Sequence, residues 1–267
     1  MKKVYLTLIA VIRDQEHYVK EWLAFHRIVG VERFVIILHR CTDATEKCIR
    51  KLPFVDDIHV HQVNDMGNPS IQMGAYHWAV RNYGHASKWL LFVDSDEFFF
   101  GTTEDHLPSI LERYEEHGGL AAHWLNFGHS NQTLRPEGLS IEAFTKRMGG
   151  TGWINRVIKC AVRTDRLLAI VSPHRQLTVR PIVREYFDPL DASDFSTNKP
   201  ATWDIVRCNH YHTRSMEDWV GRCKRGSCNT VYDSREIYDV DRFLKRGGGI
   251  EDRTILRFAD SIKEMIR

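Results

Sequence analysis

The feature that most limits what this chain can fold into is an alternation that runs from its start to Asp94. β-rich apolar runs trade places with segments whose apolar residues recur at helical spacing. Val4 to Ile12 is apolar on both faces, as a central parallel strand is. Tyr18, Trp22, Phe25 and Val29 follow at helical spacing, and Gly30 stops that helix. Arg33 to Leu38 reads as a second strand. Cys41 to Leu52 reads as a short helix with Thr42 or Asp43 as its cap. Asp57 to Val63 is a third strand, Ser70 to Tyr83 a helix with Pro69 in its first turn, and Trp89 to Val93 a fourth strand. This alternation predicts an α/β fold, a mostly parallel sheet with helices on both faces. Ligands of such sheets sit beyond the carboxyl ends of the strands. Arg13, Asp43, Asp94 and Asp96 each follow a strand closely, so they are expected along one rim.

The second half is less regular. Leu107 to Glu116 reads as a helix and Leu120 to Leu125 as a strand. Residues 126–152 are rich in Gly, Asn, Ser and Pro, and read as loop with a short helix near Ile141 to Lys146. Val157 to Arg163 and Leu167 to Val171 are strand candidates. Met216 to Arg225, Tyr238 to Lys245 and Glu251 to Ile266 read as amphipathic helices. No repeat or linker is visible. The expectation is one domain over 1–267, with a nucleotide half (1–118) and an acceptor half (119–267) that ends in helices.

The fourth strand runs straight into acid: WLLFVDSDEFFF, residues 89–100. Carboxylates just past a buried strand repel one another and lose solvation unless something positive sits between them. A divalent cation is the simplest answer, since hard cations take oxygen ligands. Acids at i and i+2 of an extended chain lie on the same side, so Asp94 and Asp96 are expected to converge while Ser95 points away. Two metal chemistries use such a strand end. In haloacid-dehalogenase-like phosphatases the first Asp attacks phosphorus. In transfer from a nucleotide sugar the acids hold a metal on the diphosphate.

Composition narrows the classes further. The chain has 267 residues and a net charge of +2, with no long basic stripe, so nucleic acid is not an expected partner. Its six cysteines form no C-x-x-C pair and read as free thiols of a reducing compartment. The N-terminal MKKVYLTLIAVIRDQEHYVKEW imitates a signal peptide, but its apolar run stops at Arg13 and Asp14. It reads as a strand, too short to span a bilayer. A cytoplasmic location is expected, and peripheral membrane association through an acceptor or partner stays open.

Four blocks in order resemble the GT-A-fold glycosyltransferases, particularly glycosyltransferase family 92 and related bacterial family 2-like enzymes. They are RDQEHYVKEWLAFHRIVG (13–30), WLLFVDSDEF, WLNFGHSNQTLRPEGLSIEAFTKR (124–147) and NHYHTRSMEDWVGRCKRG (209–226). The family's Asn-Glu after the first strand is Asp14-Gln15 here, and only Thr42 and Asp43 survive of the polar motif after the second. The resemblance implies a Rossmann-like GT-A sheet and transfer of a sugar from a UDP-sugar to a glycan or polysaccharide acceptor, inverting its configuration. It implies that Asp96 binds a metal directly, that Asp94 binds it through water or meets the ribose, and that His210 is a third ligand, with His212 its rival. Imidazole suits Mn2+ better than Mg2+.

Arg222 stands where the family pattern has a lysine and is the candidate for charge on the diphosphate. Arg13 and Asp43 are nucleotide-loop candidates, and Gln72 and Tyr76, at i and i+4, are placed to meet the base. Glu21 reads as half of a buried ion pair. Glu142 and His174 are candidates for a general base, and Trp124, Phe127 and Trp153 for stacking on sugar. The competing readings are the phosphatase and a non-catalytic carbohydrate-binding domain of the same fold.

Overall fold

The computed structural model describes residues 1–64, 70–150, 152–190, 196–225 and 240–267. Strand β1 (Val4–Ile12) is followed by α1 (Val19–Ile28), β2 (Arg33–His39), α2 (Thr45–Ile49), β3 (Ile58–Val63), α3 (Ile71–Tyr83) and β4 (Ser87–Phe92). Each segment expected up to β4 forms, most within a residue or two of its expected ends. Helix α2 is shorter, because residues 40–44 are spent on a loop. Ser70 caps α3 by accepting from the Met73 amide at 3.4 Å. Pro69 and Cys228 lie outside the described residues, as do the first two of the helix expected from Tyr238. The other five cysteines are free thiols.

Beyond β4 the alternation ends. Strand β5 (Glu97–Gly101), α4 (Leu107–Glu112), β6 (Gly119–Asn126), α5 (Ser140–Ala143), β7 (Lys146–Arg147), β8 (Ile158–Arg163) and β9 (Leu167–Ser172) follow. Then come β10 (Arg175–Thr178), β11 (Ile182–Val183), β12 (Val206–His210), α6 (Met216–Arg225), α7 (Val240–Leu244), β13 (Ile250–Glu251) and α8 (Ala259–Met265). The main sheet has the order β3-β2-β1-β4-β8-β6-β12-β5, with β11 on β6. Pairings from β3 to β4 are parallel. Strand β8 runs antiparallel to β4 and β6, and β12 lies parallel to β6 and antiparallel to β5.

Six of these strands were not expected: β5, β12 and the short β7, β10, β11 and β13. FFF is the middle of β5, and the NHY block is the end of β12. Phe98, Phe99 and Phe100 are all buried, but a run of three is too short to read as a buried strand. Each sheet face carries its own apolar layer. Trp22 and Phe25 of α1 pack on one face, with Phe25 and Phe98 edge to face at 4.9 Å. Ala75, Tyr76 and Ala79 of α3 cover the other. Buried Glu21 makes no ion pair among the described residues. It accepts the Ser140 and Ile141 amides at 2.7 and 3.0 Å and so closes the first turn of α5.

His26 joins α1 to β5. Its Nδ1 donates to the Trp22 carbonyl at 2.9 Å, which leaves Nε2 to accept from the Phe99 amide at 3.5 Å. Burial lowers its pKa from 6.5 to about 3. The unfolded chain therefore takes up this proton below pH 6.5 while the folded chain does not, and stability falls with pH through that window. Between pH 7 and 5, His26 alone should remove about 2 kcal/mol. Denaturant titrations should show this slope in the wild type, and His26→Leu should flatten it whatever its effect on the stability at pH 7.

Candidate active site

Parallel pairing brings the ends of β1, β2 and β4 to one rim, and side chains cross-link the loops there. Asp14 adopts a positive φ of 49° and accepts from the Thr42 amide at 2.7 Å. Asp43 accepts the Glu16 amide at 2.9 Å and the Thr45 amide at 3.0 Å. It thus starts α2 and also walls the cavity beyond the rim. Arg13 lies 3.9 Å from Asp14 with its Nε buried and without a hydrogen-bond partner. Arg214 is buried. It lies 3.8 Å over the Tyr18 ring and donates to Gln15 Oε1 and the Ser95 carbonyl.

Asp94 and Asp96 do not share a side. The chain turns between them, with the Glu97 amide donating to the Asp94 carbonyl at 3.0 Å, so the two-residue period of an extended strand does not apply. Asp94 takes Lys159 Nζ at 2.8 Å and Gln72 Nε2 at 2.6 Å. Gln72, expected to meet a nucleotide base, is buried and turned to Asp94 and to the Tyr76 hydroxyl at 3.0 Å. Glu97 is fully buried 3.3 Å from Lys159 and accepts the Asp94 amide at 2.8 Å. Burial pushes the Glu97 pKa well up, beyond what Lys159 offsets, with Asp94 and Asp96 adding to the rise. Burial also raises Asp94, but Lys159 outweighs it and the net shift is downward.

Asp96 faces the other way. Its carbonyl accepts the Tyr211 amide at 2.8 Å, which ties it to the end of β12. Its Oδ2 takes Arg222 at 2.9 Å, and its Oδ1 lies 3.7 Å from His210 Nε2. Burial opposes its ionisation, but His210, Arg222 and Arg214 hold the carboxyl well below the usual range. Arg222 also meets His212 Nδ1 at 2.6 Å. The ligand atoms of Asp96, His210 and His212 all lie within 4.8 Å of one another. His212 thus joins His210 where the sequence left them as rivals, and Asp94 stands outside the group.

These residues fit a divalent cation. The Asn126 amide donates to Asn155 Oδ1 at 2.9 Å and to the Ile154 carbonyl at 3.4 Å, which fixes its oxygen toward His210 Nδ1 at 2.9 Å. His210 therefore carries its proton on Nδ1. Burial lowers its pKa to about 4, so its Nε2 lone pair faces the Asp96 carboxylate. Two acceptors face to face need a cation between them. A histidine oriented by its second nitrogen is the usual support of a metal ligand.

Two cavities flank the triad, and Thr213 lines both. One, of about 310 Å³, is polar and lined by Asp14, Asp43, Arg135, Arg214 and Arg222 among others. The other, of about 180 Å³, is lined by Trp124, Phe127, Trp153, His210 and His212 among others. Trp153 is 71% exposed, whereas Phe127 is core, stacked on Tyr211 at 4.7 Å.

Neither base candidate lines either cavity. Glu142 is turned to Lys263 of α8 at 2.5 Å. His174 lies edge-on to Trp124 at 5.4 Å and bonds the Ile158 carbonyl. Burial and then Lys159 lower its pKa to about 3, which makes it a poor proton acceptor near neutrality. Sequence reasoning missed Lys159 and Asn126. Nothing local marks the lysine, and the asparagine looked like the first residue of a loop.

A doubly wound sheet ending in D-x-D, with imidazoles returning from a late strand, defines a site of the GT-A glycosyltransferase type. The chain belongs to glycosyltransferase family 92, whose model matches residues 9–239; this sets aside the phosphatase reading. It is 28% identical over 281 aligned residues to a family 92 protein of Ricinus communis, covering 98% of this chain and 49% of that one. It is 25% identical to a family 92 protein of Oryza sativa subsp. japonica over 60% of this chain and 28% of that one. The chain thus spans about half or less of the length of these relatives. Among solved structures, S. aureus TarS 1-349 in complex with UDP aligns with a TM-score of 0.40 and 18% identity, covering 60% of this chain and 47% of that one.

No helix among the described residues is long and apolar enough to cross a membrane. In the metal-free protein at pH 7, long-range proton–nitrogen NMR spectra should show His210 neutral with its proton on Nδ1. Asn126→Ala should release that preference and give a mixture of tautomers.

Proposed function

We propose that the chain transfers a sugar from a nucleotide sugar, most simply a UDP-sugar, to a glycan acceptor by inverting single displacement. One observation carries the reading: the Asp96–His210–His212 triad lies between a polar cavity with three arginines and a cavity with exposed aromatic surface. A charged diphosphate suits the first, and a sugar face suits the second. Asp96, His210 and His212 would hold a divalent cation, and two nitrogen ligands favour Mn2+ over Mg2+. The bound ion supplies charge that stabilises the diphosphate as it leaves.

The chain's own residues do the rest. Arg222, already against Asp96, is placed to move onto the diphosphate and offset its charge. Asp94, held by Gln72 and Lys159, keeps lone pairs for ribose hydroxyls at the rim. Asp14 and Asp43 shape the nucleotide end of the cavity. Trp153 offers an apolar face to an incoming acceptor. The halves 1–118 and 119–267 share the donor site, since Arg135, Arg214 and Arg222 come from the second.

A thermal-shift panel of nucleotides with and without Mn2+ tests this. UDP with Mn2+ at 100 times the dissociation constant should add about 2.7 kcal/mol of stability, and Asp96→Asn should lose that gain while keeping its own melting transition. A stabilisation by UDP that is indifferent to Mn2+ and to Asp96→Asn would overturn the metal reading. No response to any nucleotide would overturn the transferase.

A further inference from the structure

Lys159 has so far appeared only as a partner of Asp94 and Glu97, yet it is the most deeply placed cation of the site. It is the second residue of β8, paired with Ala122 of β6, and its side chain is fully buried. A lysine in a central strand is tolerated only where carboxylates replace its water. Here there are two, Asp94 Oδ2 at 2.8 Å and Glu97 Oε2 at 3.3 Å. The Asp94 carboxylate is thereby held at both oxygens, by Lys159 on one and by Gln72 at 2.6 Å on the other. Both donors pull it toward β8 and α3. Asp96, two residues on, is anchored to β12 and looks toward His210 and His212. Among the described residues, the donor atoms that converge within 4.8 Å include Asp96 and both histidines but not Asp94.

We propose that Lys159 is a positioning residue that sets metal preference by holding Asp94 out of the ion's inner shell. The inference rests on reading Asp96, His210 and His212 as the cation site. With Asp94 withheld, an ion meets one carboxylate and two imidazoles. That set favours Mn2+, whereas two carboxylates would suit Mg2+ far better. Lys159 does so without touching the metal, the donor or the acceptor. It also gives Asp94, the first acid of the strand end, a fixed task at the nucleotide, because a carboxylate pinned at both oxygens keeps its orientation when an ion arrives or leaves.

The test measures metal binding and not turnover. Free Mn2+ is followed by its electron paramagnetic resonance signal as the metal-free protein is added, and Mg2+ is then titrated as competitor. Lys159→Met removes the charge at similar length. Lys159→Met with Glu97→Gln also removes the second buried carboxylate, so the fold, checked by circular dichroism, need not absorb an unpaired charge. In either variant Asp94 should swing to the ion, and the ratio of Mn2+ to Mg2+ affinity should narrow by about tenfold, the scale of effects from groups behind the ligands. Asp94→Asn, a near-isosteric change in the wild-type background, should leave Mn2+ affinity and the ratio within about twofold.

A folded Lys159 variant with an unchanged ratio would overturn the proposal. So would a loss of Mn2+ affinity of about tenfold or more in Asp94→Asn, the size expected of a first ligand's supporting group or greater. Failure of the wild type to bind Mn2+ at all would overturn the cation reading and this inference with it. An altered ratio in the variants, with UDP binding still dependent on Mn2+, would support both.

Discussion

Three carboxylates within four residues at the end of a buried strand can persist only if each is answered differently. An uncompensated buried charge costs several kcal/mol, and like charges this close raise one another's pKa. Here Asp94 is answered by Lys159 and Asp96 by Arg222. Glu97, pushed well up by burial, is answered in part by the same lysine and by the backbone amide of Asp94. The turn that separates the acids follows from this division. Once Asp94 is drawn to β8 and Asp96 to β12, the chain between them cannot stay extended.

The sheet makes the division available. Strand β8 runs back between β4 and β6, which brings a lysine across from the end of β4. Strand β12 lies between β6 and β5, so its last residue pairs with Asn126 on one side and with Glu97 on the other. His210 thereby arrives at the acids with the residue that fixes its tautomer already beside it. Arg222 follows one helix later and is caught between Asp96 and His212. A polar cavity and an aromatic one then open on either side of the same few atoms.

Much of the first half was legible because its signals are local. Apolar runs and helical spacing located β1 to β4 and the helices between them, and the D-x-D stood out at the end of β4. Strand β5 was not legible, since its apolar run is only three residues, shorter than the runs that mark a buried strand. Asp94 and Asp96 were read as convergent on the geometry of an extended chain, which the turn removes. Glu142 was weighed for its place after the FG segment, but its carboxylate is turned to Lys263 and lines neither cavity.

The sequence alone determined the class of fold and the rim that carries the acids. It did so because periodicity and motif are written within a few residues of each other. The tertiary structure decided which charge answers which acid. Lys159 lies 65 residues from Asp94, and Arg222 lies 126 from Asp96. Only the strand order brings such distant groups within hydrogen-bond reach, and in a buried rim that choice of partner sets what each carboxylate can do.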